Sequence, residues 1–297
     1  MSSSRFTVYG SRPARQLERF TVIFVMIFFF TLSSFQPANS SFSTFNFQLS
    51  IFNSPFKLIK SITIDAKDIQ TDRLGNLYVV TKTNQLYKYN ANGELLCTLN
   101  YKYLGNINHI DATNPLEVYV FYKEQNEILF LDNNLAYRGE ILLNDYSISQ
   151  ASAVARAFDN GIWLFDNADL QLKKLSKTGE LLQQSGNVKQ YVSGNISPTF
   201  IYDNNDRVFV NDSSNGILVF NVFGSYMKTI PIKGCVEFKM INDEVFYNRD
   251  GKLFQYNTKT FSEKIFQLPD TTRVKDISIE NERLFLLKPN SVDIYSY

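Results

Sequence analysis

One short phrase recurs six times along the 297 residues of this sequence, and it constrains the fold more than any other feature. Each copy is a run of apolar and aromatic residues after a polar turn; residues 74–80 read Leu-Gly-Asn-Leu-Tyr-Val-Val. Successive copies are 41, 44, 46, 37 and 39 residues apart. Such a period predicts one supersecondary unit repeated around an axis or along a solenoid. The apolar anchors of the six copies are Leu77, Val118, Ile162, Val208, Val245 and Leu284.

Each repeat predicts four short strands. A second apolar run follows the first anchor after 8 to 10 residues in every copy, and the two runs are separated by Asn, Asp and Gly, which predicts a hairpin. A further run precedes the phrase by 7 or 8 residues, and another follows a turn such as 90–94. Four antiparallel strands per repeat are typical of a β-propeller blade. The anchors of the predicted inner strands are Ile69, Ile110, Val154, Phe200, Phe238 and Ile277.

The two ends of the repeat region complement each other. The sixth repeat stops at Tyr297, after its third strand, and an unassigned strand-like run is present at residues 56–64. We therefore predict an all-β, closed β-propeller over residues 56–297, with six four-stranded blades and the N-terminal strand completing the last blade. Five or seven blades, or an open solenoid, are the alternatives. An open solenoid would leave two exposed strand edges, which promote aggregation.

Two repeats carry a more specific signature. Residues 72–80 read Asp-Arg-Leu-Gly-Asn-Leu-Tyr-Val-Val, and residues 85–96 continue with Gln-Leu-Tyr-Lys-Tyr-Asn-Ala-Asn-Gly-Glu-Leu-Leu; the third repeat keeps the same turn at 177–182. These segments resemble blades of the NHL-repeat and related six-bladed β-propellers, in an exported bacterial form. The other four copies keep only the hydrophobic pattern. The resemblance implies the architecture and little about ligands. The related lactonase-like propellers bind calcium through Glu, Asn and Asp residues in the channel mouth. This sequence lacks a counterpart of the Glu that those propellers carry early in the chain, so calcium binding is not expected from the resemblance.

The N-terminal 40 residues have the pattern of a secretory signal peptide. A basic head (1–19) precedes a mostly apolar run (20–32), and small residues follow up to Ser40. As a helix the apolar run would span about 20 Å, less than the roughly 30 Å of a bilayer core. We expect cleavage after Ser40 and export, with an uncleaved membrane anchor as the alternative. Residues 41–55 are expected to be a linker or an early docking strand.

Charge and cysteine content narrow the function classes. The formal net charge of +1 gives no broad basic surface for nucleic acid. Cys97 is expected on the outer strand of the first blade and Cys235 at the start of the inner strand of the fifth. A disulfide needs Cα atoms within about 7 Å, so we expect both thiols to be free and to pack as small hydrophobic groups.

Four polar residues are weak candidates for a site in the propeller channel. His109, the chain's single histidine, precedes an inner-strand anchor, and the same register in other blades gives Asp68, Ala153, Thr199, Glu237 and Asp276. Asp68, His109, Glu237 and Asp276 can approach one another as a metal or acid–base cluster. We favour the alternative that they are polar residues at strand ends, solvated or hydrogen-bonded to loops, and we predict that His109 is not catalytic. Residues 203–206 (Asp-Asn-Asn-Asp) are interpreted as a tight turn, since the glycine and final Glu of a calcium loop are missing.

No catalytic, cofactor-binding or metal-ligating residue is assigned, and no cofactor is expected. The sequence has no Gly-x-Ser-x-Gly, no Cys-x-x-Cys and no phosphate-binding glycine loop. The first hypothesis is a non-catalytic protein-interaction scaffold. It would be an accessory subunit of a bacterial cell-envelope complex, such as protein-secretion or outer-membrane assembly machinery. It would be periplasmic, peripheral to the outer membrane, with membrane contact only through envelope partner proteins. The alternative is a channel-mouth enzyme or sugar-binding propeller that uses a metal.

Overall fold

A computed structural model describes residues 56–99 and 105–297. All described residues belong to one compact unit. The predicted signal peptide (1–40) and linker (41–55) lie outside the described residues and stay predictions. Within the described residues, no helix has both the length and the apolar character needed to span a membrane.

The described strands form six antiparallel sheets of four strands, each sheet a blade. The strand that precedes the first blade is β1 (Lys57–Thr63). Blade one contains β2 (Ala66–Thr71), β3 (Leu77–Thr81), β4 (Leu86–Tyr89) and β5 (Leu95–Leu99). Blade two contains β6 (His109–Asn114), β7 (Glu117–Tyr122), β8 (Glu127–Asp132) and β9 (Tyr137–Leu142). Blade three contains β10 (Ala151–Arg156), β11 (Ile162–Asp166), β12 (Gln171–Leu175) and β13 (Leu181–Gln184).

The second half of the ring repeats the arrangement. Blade four contains β14 (Phe200–Asp203), β15 (Arg207–Asp212), β16 (Gly216–Asn221) and β17 (Tyr226–Ile230). Blade five contains β18 (Phe238–Ile241), β19 (Glu244–Arg249), β20 (Lys252–Asn257) and β21 (Glu263–Phe266). Blade six contains β22 (Asp276–Glu280), β23 (Arg283–Leu287) and β24 (Ser291–Ser296), with β1 as its outer strand. Short 3-10 helices at Leu143–Tyr146 and Val188–Gln190 lie between blades.

The predicted ring closure is confirmed. β1 pairs antiparallel with β24, from Lys57 opposite Ser296 to Thr63 opposite Ser291. Across this pair the Ser61 hydroxyl donates to Asp293 Oδ1 at 2.5 Å. The pairing hydrogen-bonds the edge of β24 that an open solenoid would leave exposed.

Between residues 56 and 297, the described part of the chain forms six hydrophobic core clusters, each lying between two neighbouring blades. The cluster between blades six and one includes Ile62, Val79 and Phe285. Because each middle strand is covered on both faces, its apolar run is continuous, and all five residues of β3 are buried. This arrangement explains why several repeats lack strict alternation in the sequence.

Both cysteines are free and residues 203–206 form a turn, as predicted; Cys235 is buried as expected, whereas Cys97 is only partly buried. Cys97 lies on β5, the outer strand of blade one, and Cys235 lies shortly before β18; both are free. Burial raises the pKa of the Cys235 thiol to about 11. Asp203 ends β14, and its Oδ1 accepts a hydrogen bond from the backbone N–H of Asn205 at 2.8 Å, so residues 203–206 form a turn.

Candidate ligand site in the central channel

The inner strands surround a channel with two distinct mouths. A cavity of about 1040 Å³, solvent at its open ends included, is lined by side chains from every inner strand. Turns after the first and third strands of a blade, such as 72–76 and 90–94, lie on one face, which we call the turn face. Loops after the second and fourth strands, such as 82–85 and 64–65, lie on the opposite, connection face. A backbone hydrogen bond of 3.0 Å joins Lys82 to Asp65 on this connection face.

The structure places the four predicted candidates at the connection-face mouth. Asp68, His109 and Asp276 occupy equivalent positions at the start of their inner strands, opposite Val80, Phe121 and Leu287 of the adjacent strands. Glu237 immediately precedes β18. His109, Glu237 and Asp276 line the cavity, and Asp68 lies beside it, within electrostatic reach of the other three.

The predicted register is wrong in blade four. Phe200, not Thr199, occupies the position equivalent to His109, because the turn before the second strand is one residue shorter there. Thr71 pairs with Leu77 in blade one, whereas Asp203 pairs with Val208 in blade four. The Phe200 ring packs edge-on against the His109 ring with a centroid distance of 5.4 Å.

Glu237 is the central contact of this cluster. Its Oε1 lies 3.3 Å from His109 Nδ1, an ion-pair distance. Its Oε2 accepts a hydrogen bond from the Gln70 side chain. The Asn248 amide donates to Asp276 Oδ1 at 3.4 Å. Three carboxyl groups, one imidazole and two amides therefore converge from blades one, two, five and six.

The electrostatics reflect crowding of negative charge in a poorly solvated site. Burial and then the Glu237 carboxylate raise the pKa of Asp276 to about 7. Burial, followed by Glu237 and Asp276, raises the pKa of Asp68. Burial alone would lower the pKa of His109, but Glu237, Asp111 and Asp68 together outweigh it and raise that pKa. Burial in the channel thus disfavours the charged form of Asp68 and Asp276, whereas the nearby carboxylates favour the protonated form of the His109 imidazole.

The donor arrangement does not fit a metal ion. Among residues 56–99 and 105–297, no three His, Cys, Asp or Glu side chains are placed to hold one. Gln70 and Asn248 belong to the cluster but were missed from the sequence. Asn248 closes the fifth copy of the repeated phrase, where polar residues are common and give no signal of a site.

A second feature lies on the turn face. Its turns carry large apolar side chains that are more than half exposed, with Leu116 and Phe261 both 70 % exposed. Phe261 also has a positive φ of 59°, a conformation that a bulky side chain rarely adopts. One such side chain lies on each of blades one to five, all on the same face of the ring. We call this set the apolar turns: Leu74, Leu116, Phe158, Phe223 and Phe261.

No family model matches the sequence, and no curated protein matches it significantly. The fold resembles solved β-propellers. A catalytically inactive virginiamycin B lyase from Staphylococcus aureus with quinupristin is 13 % identical, with a TM-score of 0.60 over 82 % of this chain and 99 % of that one. A Bacteroides fragilis protein named as exported is 11 % identical, with a TM-score of 0.55 over 82 % and 95 %. The Pan2 WD40 domain from Neurospora crassa is 9 % identical, with a TM-score of 0.53 over 81 % and 95 %. At these identities the likeness establishes a β-propeller fold and nothing finer.

Proposed function

We propose that this chain is an NHL-like, exported bacterial six-bladed propeller that acts as a non-catalytic protein-interaction scaffold. It serves as an accessory subunit of a cell-envelope complex, in protein-secretion or outer-membrane assembly machinery. It is periplasmic and contacts the outer membrane only through partner proteins. The observation that carries this proposal is the exposure of the apolar turns on one face of the ring.

The rigidity of the ring supports a scaffold role. Polar contacts tie neighbouring blades together, so the turns that each blade presents are held at constant spacing. The hydroxyl groups of Thr71 and Ser278 lie 2.8 Å apart and join blades one and six. The backbone N–H of Arg156 donates to Asp111 at 2.7 Å and joins blades three and two. The Trp163 indole N–H donates to Asp203 at 3.0 Å and joins blades three and four. A pre-organised surface loses little conformational entropy when a partner binds.

The export part of the proposal rests on the sequence pattern of residues 1–40. The test is fractionation of the native bacterium with an epitope on the C-terminal side. Recovery in the periplasmic or membrane-peripheral fraction supports the proposal, and recovery only in the cytoplasm contradicts it.

Affinity capture after crosslinking in the envelope fraction tests the scaffold role. We expect Leu116→Ser combined with Phe261→Asn to fold normally and to lose the captured partners. The matched control is Val236→Ser, because Val236 is 69 % exposed but lies on the connection face. The control should retain all partners. Equal capture by wild type, double variant and control would contradict a partner surface on the turn face.

A channel-mouth enzyme or sugar-binding propeller using a metal is the second candidate. The convergence of His109, Glu237 and Asp276 on one cavity favours it. The absence of a metal-holding group among the described residues weighs against it. Metal analysis of the purified protein separates the two, since a stoichiometric metal would favour the channel-mouth candidate.

A further inference from the structure

The connection-face mouth holds three acidic side chains, Asp68, Glu237 and Asp276, and one basic side chain, His109. Glu237 forms an ion pair with His109, whereas Asp68 and Asp276 have no lysine or arginine at ion-pair distance in the described part of the chain. Lys67, which precedes Asp68 in the sequence, donates its Nζ to Asn84 Oδ1 at 2.6 Å instead. The electrostatic surroundings of the mouth therefore favour an additional positive charge.

An unsatisfied hydrogen-bond acceptor at the same mouth points independently to a ligand. His109, with a side chain only 8 % exposed, lines the cavity, and its Nδ1 faces Glu237 Oε1 at 3.3 Å, so it is already partnered. Asn248 Oδ1, next to Asp276, is a buried acceptor with no donor among the described residues. Burying an acceptor without a partner is unfavourable, so a ligand that supplies an N–H donor at this mouth would be stabilised.

The geometry selects the kind of cation. A metal ion requires its ligands to converge within about 2.0–2.6 Å of one point, and the described residues offer no such group. An ammonium or guanidinium group instead donates several hydrogen bonds of about 2.7–2.9 Å to separate acceptors. Carboxylates and an amide oxygen spread around a cavity match the second requirement.

We propose that the connection-face mouth of the channel binds a cationic nitrogen group, an ammonium or a guanidinium. The carboxylates of Glu237 and Asp276 and the amide oxygen of Asn248 accept its N–H groups, and Asp68 adds charge. The group belongs to a free polyamine or to a lysine or arginine side chain. This site does not depend on the scaffold proposal, whose surface is on the opposite face.

The single histidine makes the site directly observable, because the imidazole NMR signals of the full chain come from His109 alone. Two probes are titrated: spermidine as a free polyamine, and acetyl-Gly-Arg-Gly-amide as an arginine side chain. We expect at least one to shift the His109 signals saturably, and the tighter probe identifies the source. Tetramethylammonium has the same charge type without N–H donors and should bind at least roughly tenfold more weakly.

Variants locate the binding. Asp276→Asn and Glu237→Gln should each weaken the binding of the tighter probe by roughly tenfold or more. The matched control is Asp250→Asn, an exposed turn residue with φ of 55° that asparagine adopts readily. It should leave the binding unchanged. The proposal is overturned if neither probe produces a saturable shift, if tetramethylammonium binds equally well, or if the variants bind like wild type. Saturable binding of Ca²⁺ or Mg²⁺ alone would also overturn it, in favour of a metal site.

Discussion

Replacing Asp276 by Asn should stabilise the protein, and the gain should depend on pH in a defined way. The folded structure raises the pKa of Asp276 from 3.8 to about 7, through burial and then through the Glu237 carboxylate. Between these pH values the folded state keeps a proton that the unfolded chain releases. Wild-type stability therefore falls, as far as this residue is concerned, as pH rises from about 4 to about 7.

The size of the effect follows from the shift. At 1.36 kcal/mol per pKa unit, the full shift corresponds to about 4 kcal/mol. Asp276 keeps partial contact with solvent in the channel, so we expect a gain of about 2 kcal/mol for Asp276→Asn at pH 7.5. The gain in unfolding free energy should be near zero at pH 4, increase between about pH 4 and pH 7, and stay constant above pH 7. Urea denaturation of both proteins across this range measures it.

A control with the opposite sign is available in the loop that leads into the same blade. Lys288 and the Thr272 N–H, which bond to the carboxyl group, lower the pKa of Asp270 to about 2. Asp270→Asn should therefore destabilise the protein at neutral pH, and the loss should shrink as pH falls from about 4 towards 2. An Asp276→Asn gain that is absent at pH 7.5, or is the same at every pH, would refute the electrostatic account of the channel.

Three further predictions concern the rest of the chain. Deleting residues 56–64 should expose the edge of β24 and reduce solubility in a sedimentation assay. Ile62→Ala should lower the free energy of unfolding by about 2–4 kcal/mol in a denaturant titration. If both variants behaved like wild type, ring closure by residues 56–64 would be contradicted. Intact-mass analysis of the exported protein should show a chain that begins at residue 41 with two free thiols, and a retained N-terminus or a two-hydrogen deficit would count against it. His109→Ala should keep partner assembly and cellular function near wild type at a cost of about 1 kcal/mol; lost function in a variant that folds and assembles would indicate a channel active site.

Much of the fold was predictable because it depends on local patterns that repeat. The apolar anchors recur because every blade buries the same middle strands against its neighbours, and the closing strand at residues 56–64 was recognisable because the last repeat lacks one. The failure in blade four has a local cause. A turn shorter by one residue moves Phe200 into the channel ring in place of Thr199, and anchor spacing alone does not report turn length.

The site depends on what the repeats bring together. Asp68 and Asp276 are 208 residues apart in the sequence, yet they interact because blades one and six are neighbours in the closed ring. Sequence register placed the four candidates at one level, but only the closed channel removes solvent from them and raises the pKa of Asp276. Asn248 entered the cluster through its hydrogen bonds to the Lys275 carbonyl and Asp276 at the start of the neighbouring blade six. The sequence by itself determined the blades and their order. Ring closure determined which polar side chains share a cavity, because the rotation from one blade to the next sets which inner-strand residues lie close together in the channel.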